Sequence, residues 1–257
     1  EQIREIIARF PPGALQFEVG IQTFDEATSR NISRRQNVPR LEDNIRYLRQ
    51  NTGVHIHADL IAGLPGEDMA SFGRGFDRLV ALGPQEIQVG ILKRLRGTPI
   101  VRHDLEWGMV YSPHPPYEIL CNKLLDFSSL QQMRRFARLW DLVANSGNFV
   151  LTTPLIWAAR EEEVPPSPFV EFLRLSDWMV ARLGRLHSIA RAALAENLFL
   201  FLTSERLLPK ARVIEALERD WHGGVRREKL SFLDSGVEKK PVPAASTRPK
   251  RQARHLA

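Results

Sequence analysis

The chain has 257 residues, of which 43% are hydrophobic, and this proportion is enough for a folded core and excludes global disorder. Its apolar runs, such as residues 192–202, fall short of the roughly 18–20 residues that a membrane span needs. The formal net charge is +6, and Cys121 is the only cysteine. A single cysteine excludes an internal disulfide framework and a Cys-rich metal site built from this chain alone, and we expect a cytoplasmic protein.

The positive charge is concentrated at the C-terminus. Residues 236–257 carry a formal charge of +5, which leaves +1 on residues 1–235. The same segment contains three prolines and almost nothing to bury, so we expect a disordered basic tail. A solvated tail is the simplest interpretation, and electrostatic contact with nucleic acid or a membrane surface is the alternative.

The first residues have a helical pattern. Ile3, Ile6 and Ile7 share one face of EQIREIIARF, and residue 1 is Glu instead of Met. A helix of this kind should follow an earlier strand, and we therefore expect the chain to be the later part of a longer protein.

Three apolar segments, at 15–22, 54–63 and 86–95, have the composition of strands. Between them, apolar residues recur at near-helical spacing around 41–48 and 72–80. Strands that start every 30–40 residues and alternate with helices predict an α/β fold with a parallel sheet.

Alternation along each strand separates an apolar face, expected under the helices, from a polar face. The polar face carries Glu18, Gly20, Gln22, His55, His57, Asp59, Gln88, Gly90 and Leu92. Burying such carboxylate and imidazole groups without partners is costly, so we expect this face to meet a polar ligand or water, with the two glycines leaving room. A self-satisfied hydrogen-bond network around buried water is the alternative.

Two further interpretations of the histidines carry less weight. As metal ligands, His55, His57 and Asp59 would be spread over roughly 13 Å of one strand. We instead predict that His57 and Asp59 are hydrogen-bonding residues of this face, and we predict no metal site. A Ser-His-Asp site has no nucleophile elbow to support it.

The loop GLPGED at 63–68 leaves the second strand. Gly63 and Gly66 permit positive φ or close backbone approach, and Glu67 and Asp68 suit a helix N-terminus. The loop belongs to the carboxyl-end rim of the sheet, where parallel α/β folds bind their ligands.

Three segments taken together, FEVGIQTFDEATSRNISRR at 17–35, HIHADLIAGLPGED at 55–68 and QVGILKRLRGTPI at 88–100, resemble the second half of the radical S-adenosylmethionine (radical SAM) barrel. The following segment, at 101–120, is similar to the start of the helical C-terminal domain of unknown function that ends some cobalamin-binding radical SAM proteins. The resemblance covers roughly residues 1–235 and implies a partial parallel β/α (TIM-like) barrel of about three β-α units, followed by an all-helical domain.

The resemblance also implies contacts with SAM. Glu18 and Gln22 would approach its methionine and ribose parts, while Asp59, Ile61 and Gly63 would surround the adenine. His57 is a further cofactor-binding candidate. The third strand would offer backbone contacts from Gln88 to Lys93.

The chain departs from the family pattern at the cluster. Radical SAM enzymes hold a four-iron, four-sulfur cluster on three cysteines spaced Cys-x-x-x-Cys-x-x-Cys. No such triplet occurs here, and Cys121, on what reads as an apolar helical stretch, is interpreted as a buried structural cysteine. We expect this chain alone not to cleave SAM, and the cluster, the cobalamin domain and the other barrel half to belong to the full-length architecture.

From about residue 117 the pattern predicts helices. They fall at 117–127, 128–147, 168–184, 187–205 and 209–221, with a capping box at Ser128 and Gln131 and a stop at Gly147. Within the second of these helices, an apolar stripe is expected in the core, formed by Met133, Phe136, Leu139, Trp140 and Val143. Three arginines of the same helix are expected on its solvated face: Arg134, Arg135 and Arg138.

The expected organisation is a barrel half at 1–100, a helical accessory domain at 101–235 and the tail at 236–257. The expected function is that of the C-terminal part of a cobalamin-dependent radical SAM enzyme that supplies part of the SAM-binding wall, is not active alone and acts on an unidentified small molecule. A non-catalytic truncated or degenerate fragment is one alternative, and a nucleic-acid-binding module that uses the tail is another.

Overall fold

A computed structural model describes residues 2–159, 166–222 and 230. The chain divides into two compact units, Glu1–Ala137 and Arg138–Ala257. The predicted boundary near residue 100 stays a prediction, because spatial clustering need not follow the limits of sequence modules. The tail predicted at 236–257 lies outside the described residues.

The first unit contains a three-stranded parallel sheet in the order β1-β2-β3, and this confirms the predicted α/β class. Strand β1 spans Gln16–Gln22, β2 spans His55–Ala62 and β3 spans Glu86–Ile91. The helices that precede and connect them are α1 (Gln2–Ile7), α2 (Glu26–Asn31), α3 (Val38–Asn51) and α4 (Met69–Leu82).

Capping residues set the limits of the connecting helices. The side chain of Asn37 accepts a hydrogen bond from the backbone of Arg40 at the start of α3, and Asp68 does the same for Ser71 at the start of α4. Gly83 ends α4 in the left-handed conformation that glycine adopts most easily.

The apolar face of the sheet forms the core of the first unit, as alternation predicts. Ile56, Ala58 and Leu60 of β2 are almost completely buried, and so are the apolar residues Phe76 and Leu79 of α4. Burial of this surface provides the main stabilisation of the sheet.

The side chain of Gln85 ties β2 to the start of β3. Its Oε1 accepts a hydrogen bond of 2.8 Å from the backbone N–H of Ile56, and its Nε2 donates one of 3.1 Å to the carbonyl of Val54. One amide group therefore satisfies two backbone groups at the entry of the strand pair.

After β3 the chain forms a 3-10 helix at Pro99–His103, the short helix α5 (Asp104–Trp107) and an antiparallel pair, β4 (Val110–Tyr111) and β5 (Ile119–Cys121). The helix predicted at 117–127 is therefore wrong, and half-buried Cys121 lies on a strand. The backbone N–H of Ile119 instead donates to the carbonyl of Leu92.

An Asx turn separates β5 from the next helix. Asn122 Oδ1 accepts hydrogen bonds from the backbone N–H groups of Leu124 and Leu125. Helix α6 (Phe127–Val143) then begins with Asp126, whose carboxylate accepts from the N–H of Ser129, so the cap predicted at Ser128 is displaced by two residues.

The second unit is helical. It contains α7 (Pro168–Leu183), α8 (Arg191–Leu200) and α9 (Lys210–His222), with a 3-10 helix at Thr153–Trp157 and a π-helical turn at Phe201–Glu205. These helices confirm the predictions at 168–184 and 209–221, and the helix predicted at 187–205 begins only at Arg191. Every residue of the apolar stripe predicted in α6 is at least 96% buried. No helix in the described ranges is long and apolar enough to span a bilayer.

Candidate functional site

The polar face of the sheet is a continuous row across all three strands. The register places Glu18 beside His57, and His57 beside Glu86. Two residues further along, Gly20 lies beside Asp59, and Asp59 beside Gln88. Residues paired across neighbouring strands point to the same face, so the side chains that the sequence assigned to this face lie together.

His57 and Asp59 form an imidazole–carboxyl pair within this row. Their Nε2 and Oδ1 atoms are 3.4 Å apart, at ion-pair distance but without a hydrogen bond between them. Burial raises the pKa of the Asp59 carboxyl, the nearby Glu18 raises it further, and His57 opposes both. Asp59 is thus a half-buried carboxyl group with spare hydrogen-bonding capacity.

His55 belongs to a different contact. Its Nε2 lies 3.1 Å from Glu86 Oε1, and both side chains are buried at the amino end of the sheet. His55 is therefore a packed residue at the amino end of the row. Among the described residues, no group of three His, Cys, Asp or Glu side chains could hold a metal ion.

Strand β1 ends in a bulge beside this row. The register with β2 shifts between Gly20 and Gln22, and Gln22 has a φ of 71°, which is unusual for a residue other than glycine. The side chain of Arg34 donates to the Gly20 carbonyl, and Gln36 Nε2 donates to the Ile21 carbonyl at 2.6 Å. These two side chains hold the bulge, and the Gln22 amide lies over Gly20, where a Cβ atom would be 2.8 Å from Gln22 Nε2.

A cavity of about 630 Å³ lies on this side of the sheet. Its polar and charged lining comprises Gln22, Asp59, Gln88, Lys93, Glu118 and Arg134. Its apolar lining comes mostly from the ends of β2 and β3 and from Leu95 and Ala137. A concave site with a few convergent polar groups on an apolar surface is the usual form of a small-molecule site.

Five of the residues that the resemblance assigns to cofactor binding line this cavity: Gln22, Asp59, Ile61, Gln88 and Lys93. Three others do not line it. Glu18 is exposed and lies beside His57, nearer the amino end of the sheet than the cavity. His57 itself is two residues before Asp59 on β2.

Gly63 is the third of these, and it is buried in packing. Its φ is +96°, and a Cβ atom there would lie 2.7 Å from Ile119 Cγ2. Its carbonyl accepts a hydrogen bond of 3.3 Å from Asn122 Nδ2. Gly63 lets the loop after β2 approach β5, and its contact with adenine stays a prediction.

Glu118 and Arg134 are lining residues that the sequence interpretation missed. They form a close ion pair, and the Nε of Arg134 is buried without a partner. Arg134 was predicted on a solvated face, and its side chain is 39% exposed, but its pairing with Glu118, just before β5, was not predicted. Glu118 and Arg134 are sixteen positions apart and lie on either side of the turn at Asn122, so no periodic pattern in the sequence indicates that they pair.

A second cavity, of about 360 Å³, shares Gln22, Ile61, Leu92 and Lys93 with the first. It extends towards the loop after α2 and the 3-10 helix after β3, and its further cations are Arg34 and Arg102. Arg102 donates to the carbonyl of Asn31 and to the hydroxyl of Ser33, each at 2.6 Å, so this side chain is held in place.

These features define a parallel β/α sheet whose polar face opens into a small-molecule cavity, followed by a helical segment. Residues 105–252, more than half of the chain, match the family described as "Protein of unknown function (DUF4080)". The chain belongs to this family.

The chain is also 27% identical over 111 residues to the uncharacterized protein YtqA of Bacillus subtilis (strain 168), a match that covers 43% of this chain and 34% of YtqA. A solved structure, coproporphyrinogen III oxidase (HemN) from Escherichia coli, described as a radical SAM enzyme, superposes with a TM-score of 0.31 and 15% identity over 73% of this chain and 33% of HemN. The chain thus spans about a third of the length of each protein. At that TM-score the superposition carries no argument, and the fold assignment rests on the strand order and register described above.

Proposed function

We propose that the chain is the C-terminal part of a radical SAM enzyme and supplies part of the wall that binds SAM. The observation that carries this proposal is that Gln22, Asp59 and Gln88, implied by three separate sequence segments, line one cavity. The alternation of side chains had selected the same face before any family was considered.

The described residues fit the polar groups of SAM. The amides of Gln22 and Gln88 can each donate and accept, and the Asp59 carboxyl can accept from an amino or hydroxyl group. Gly90 adds room, because a Cβ atom there would meet nothing closer than 3.6 Å. Gln22 would hold the methionine and ribose parts, while Asp59, Ile61 and the backbone from Gln88 to Lys93 would surround the adenine.

SAM, when bound next to a reduced iron–sulfur cluster, supplies radical chemistry. The task of this chain's own residues is to bind and orient. Hydrogen bonds from Arg34 and Gln36 to the carbonyls of Gly20 and Ile21 fix the backbone that leads into Gln22, and the register fixes Asp59 beside Gln88. Such preorganisation lowers the entropic cost of aligning a reacting group.

The iron–sulfur cluster does not fit the chain. A four-iron cluster of this class needs three thiolates, whereas Cys121 is the only cysteine of the sequence, lies half-buried on β5 and lines neither cavity. We derive no step through the cluster. Its ligands would come from outside this sequence, together with any cobalamin, to which we assign no described residue.

The sheet itself supports the existence of a further barrel segment as partner. Strand β1 is the first strand of the order β1-β2-β3, and within the described residues no strand pairs with its outer edge. An unpaired strand edge is a template for another strand. We propose that the missing barrel half adds there.

Calorimetric titration of the full 257-residue chain with SAM tests the proposal. We expect saturable binding that Asp59→Asn weakens about tenfold, which corresponds to roughly 1.4 kcal/mol. Asp43→Asn is the matched control, because Asp43 is exposed on α3 and lines neither cavity. If the folded chain gives no saturable signal, or if both variants bind SAM like the parent, the proposal fails and a non-catalytic fragment becomes the better description.

A further inference from the structure

The larger cavity is electrostatically polarised along the strands. Asp59 lies beside Gln88 in the middle of the sheet, whereas Lys93 follows five residues after Gln88, which corresponds to about 16 Å along an extended chain. The acidic group and the two glutamines therefore belong to one part of the cavity, and Lys93 belongs to its carboxyl-end rim.

Lys93 is a cation without a partner on this rim. It is exposed, and its ammonium group makes no hydrogen bond or ion pair with any described residue. Its backbone forms an isolated antiparallel bridge with Glu118. Directly bridged residues point their side chains to the same side, so the ammonium group of Lys93 and the carboxylate of Glu118 face the same part of the cavity.

Arg134 completes this part of the wall. Glu118 holds one arm of its guanidinium in an ion pair, and the Nε donor remains buried without a partner. A guanidinium has five N–H donors, so a carboxylate partner leaves several of them available. Because Glu118 balances one positive charge, Lys93 leaves a net positive charge on the rim.

The neighbouring surface is apolar. Leu92, Leu95 and Ala137 line the cavity next to the two cations, and Leu95 is 57% exposed. A ligand that places an anion on Lys93 and Arg134 therefore also meets aliphatic groups.

Glu118 and Arg134 lie within residues 105–252, the part that matches the family, whereas Gln22, Asp59 and Gln88 lie before it. One cavity thus combines a wall from the sheet with a rim of which Glu118 and Arg134 lie in the part of the chain that matches the family. This division separates the wall proposed for the cofactor from a rim that can determine the substrate.

We propose that Lys93 and Arg134 bind the anionic group, a carboxylate or a phosphate, of a partly apolar organic substrate, and that Glu118 is a positioning residue that holds Arg134. As a statement about the substrate of a radical SAM enzyme this rests on the proposed function, but the binding site itself does not. Arginine and lysine side chains are the usual protein ligands of carboxylate and phosphate groups.

Titration calorimetry of the full chain tests this site with three probes: octanoate, octyl phosphate and the uncharged octanamide. We expect one anion site, with octanamide binding at least fivefold more weakly than the better of the two anions. The anion that binds more tightly identifies the headgroup as a carboxylate or a phosphate, and either result supports the site.

Two substitutions of the same kind separate this site from general attraction to a basic protein. Lys93→Met should weaken anion binding about tenfold and leave octanamide binding unchanged. Lys123→Met, at an exposed position that lines neither cavity, should have no effect on either probe. Glu118→Gln should weaken octanoate binding by a smaller factor, and its retained far-ultraviolet circular dichroism would show that the fold is intact.

The inference is overturned if neither anion binds, if octanamide binds as tightly as both anions, or if Lys93→Met binds octanoate like the parent. Titration with SAM distinguishes this failure from that of the proposed function. In the unsubstituted chain, SAM binding without anion binding refutes only the rim site. Anion binding without SAM binding refutes only the proposed cofactor.

Discussion

The hydroxyl of Thr23 donates a hydrogen bond of 2.7 Å to Glu67 Oε1, and both residues are 98% buried. The other carboxyl oxygen of Glu67 is buried without a partner. This contact joins the end of β1 to the loop after β2, and it places a titratable group inside the first unit.

Glu67 should make stability depend on pH. Burial raises the pKa of its carboxyl from 4.5 to about 7, with Asp25 and Asp68 adding to the increase and Thr23 opposing it. Because the folded pKa exceeds the unfolded value, its stabilising contribution is complete below about pH 4.5 and is lost as the pH rises to about 7. The loss should be about 3 kcal/mol.

Urea unfolding at pH 5 and pH 8 measures this effect. Glu67→Gln, which mimics the protonated acid, should be close to the parent at pH 5 and more stable than the parent at pH 8. Glu106→Gln changes an exposed carboxylate and should leave the pH dependence unaltered. An unchanged pH dependence in Glu67→Gln would contradict this assignment.

Gly63 should be far less tolerant of alanine than Gly83. Both have positive φ, but a Cβ at Gly63 would lie 2.7 Å from Ile119 Cγ2, whereas a Cβ at Gly83 would have no atom within 4 Å. Gly83→Ala should cost about 1 kcal/mol of unfolding free energy from the backbone alone. Gly63→Ala should cost about 2 kcal/mol more because of the overlap, and equal losses in denaturant unfolding would show that the loop can move away from Ile119.

The left-handed backbone of Gln22 should favour glycine over alanine. Since a residue with a Cβ atom is strained at a φ of 71°, Gln22→Gly should be about 1 kcal/mol more stable than Gln22→Ala in urea unfolding. Gln88 is an exposed residue in the middle of β3. There Gln88→Ala should be more stable than Gln88→Gly, because glycine weakens a regular strand. The same order at both positions would mean that the bulge is not strained.

Two arginines contact the same carboxylate in the second unit and should differ in importance. Arg206 lies 3.1 Å from Glu171, its side chain is 6% exposed, and it also donates to the carbonyl of Ala158. Arg206→Met would leave a buried carboxylate poorly compensated and should cost about 3 kcal/mol.

Arg174 is the control, since it lies 3.8 Å from Glu171 and its side chain is 47% exposed. Arg174→Met should cost less than about 1 kcal/mol. Thermal unfolding of Arg206→Met and Arg174→Met measures the two losses of stability. Losses of similar size would contradict the prediction and would indicate that Glu171 is solvated in both variants.

Periodicity predicted the elements whose burial is one-sided. β1, β2 and α7 lie within the segments that their apolar spacing indicated, and α4 and α9 overlap theirs. In each of these elements one hydrophobic stripe or face is buried, and local spacing records which side that is.

The errors occurred where a tertiary contact outweighed local spacing. Residues 119–121 form a strand because the exit of β3 pairs with Ile119 and because Asn122 starts a turn. Arg134 remains 39% exposed, but its ion pair with Glu118 makes it part of the cavity wall. The polar row could be predicted from alternation, but the cationic rim could not, since its members come from three separate elements of irregular spacing.

The amide of Gln85, which bonds the backbone of Val54 and Ile56, also helps to fix the register between β2 and β3. A slip of β3 by one residue would turn every side chain of that strand to the opposite face and would remove Gln88 from Asp59. Gln85, through Val54 and Ile56, opposes such a slip from outside both cavities. The recognition properties of the cavity therefore depend on a residue that no ligand would touch, and a screen restricted to lining residues would overlook it.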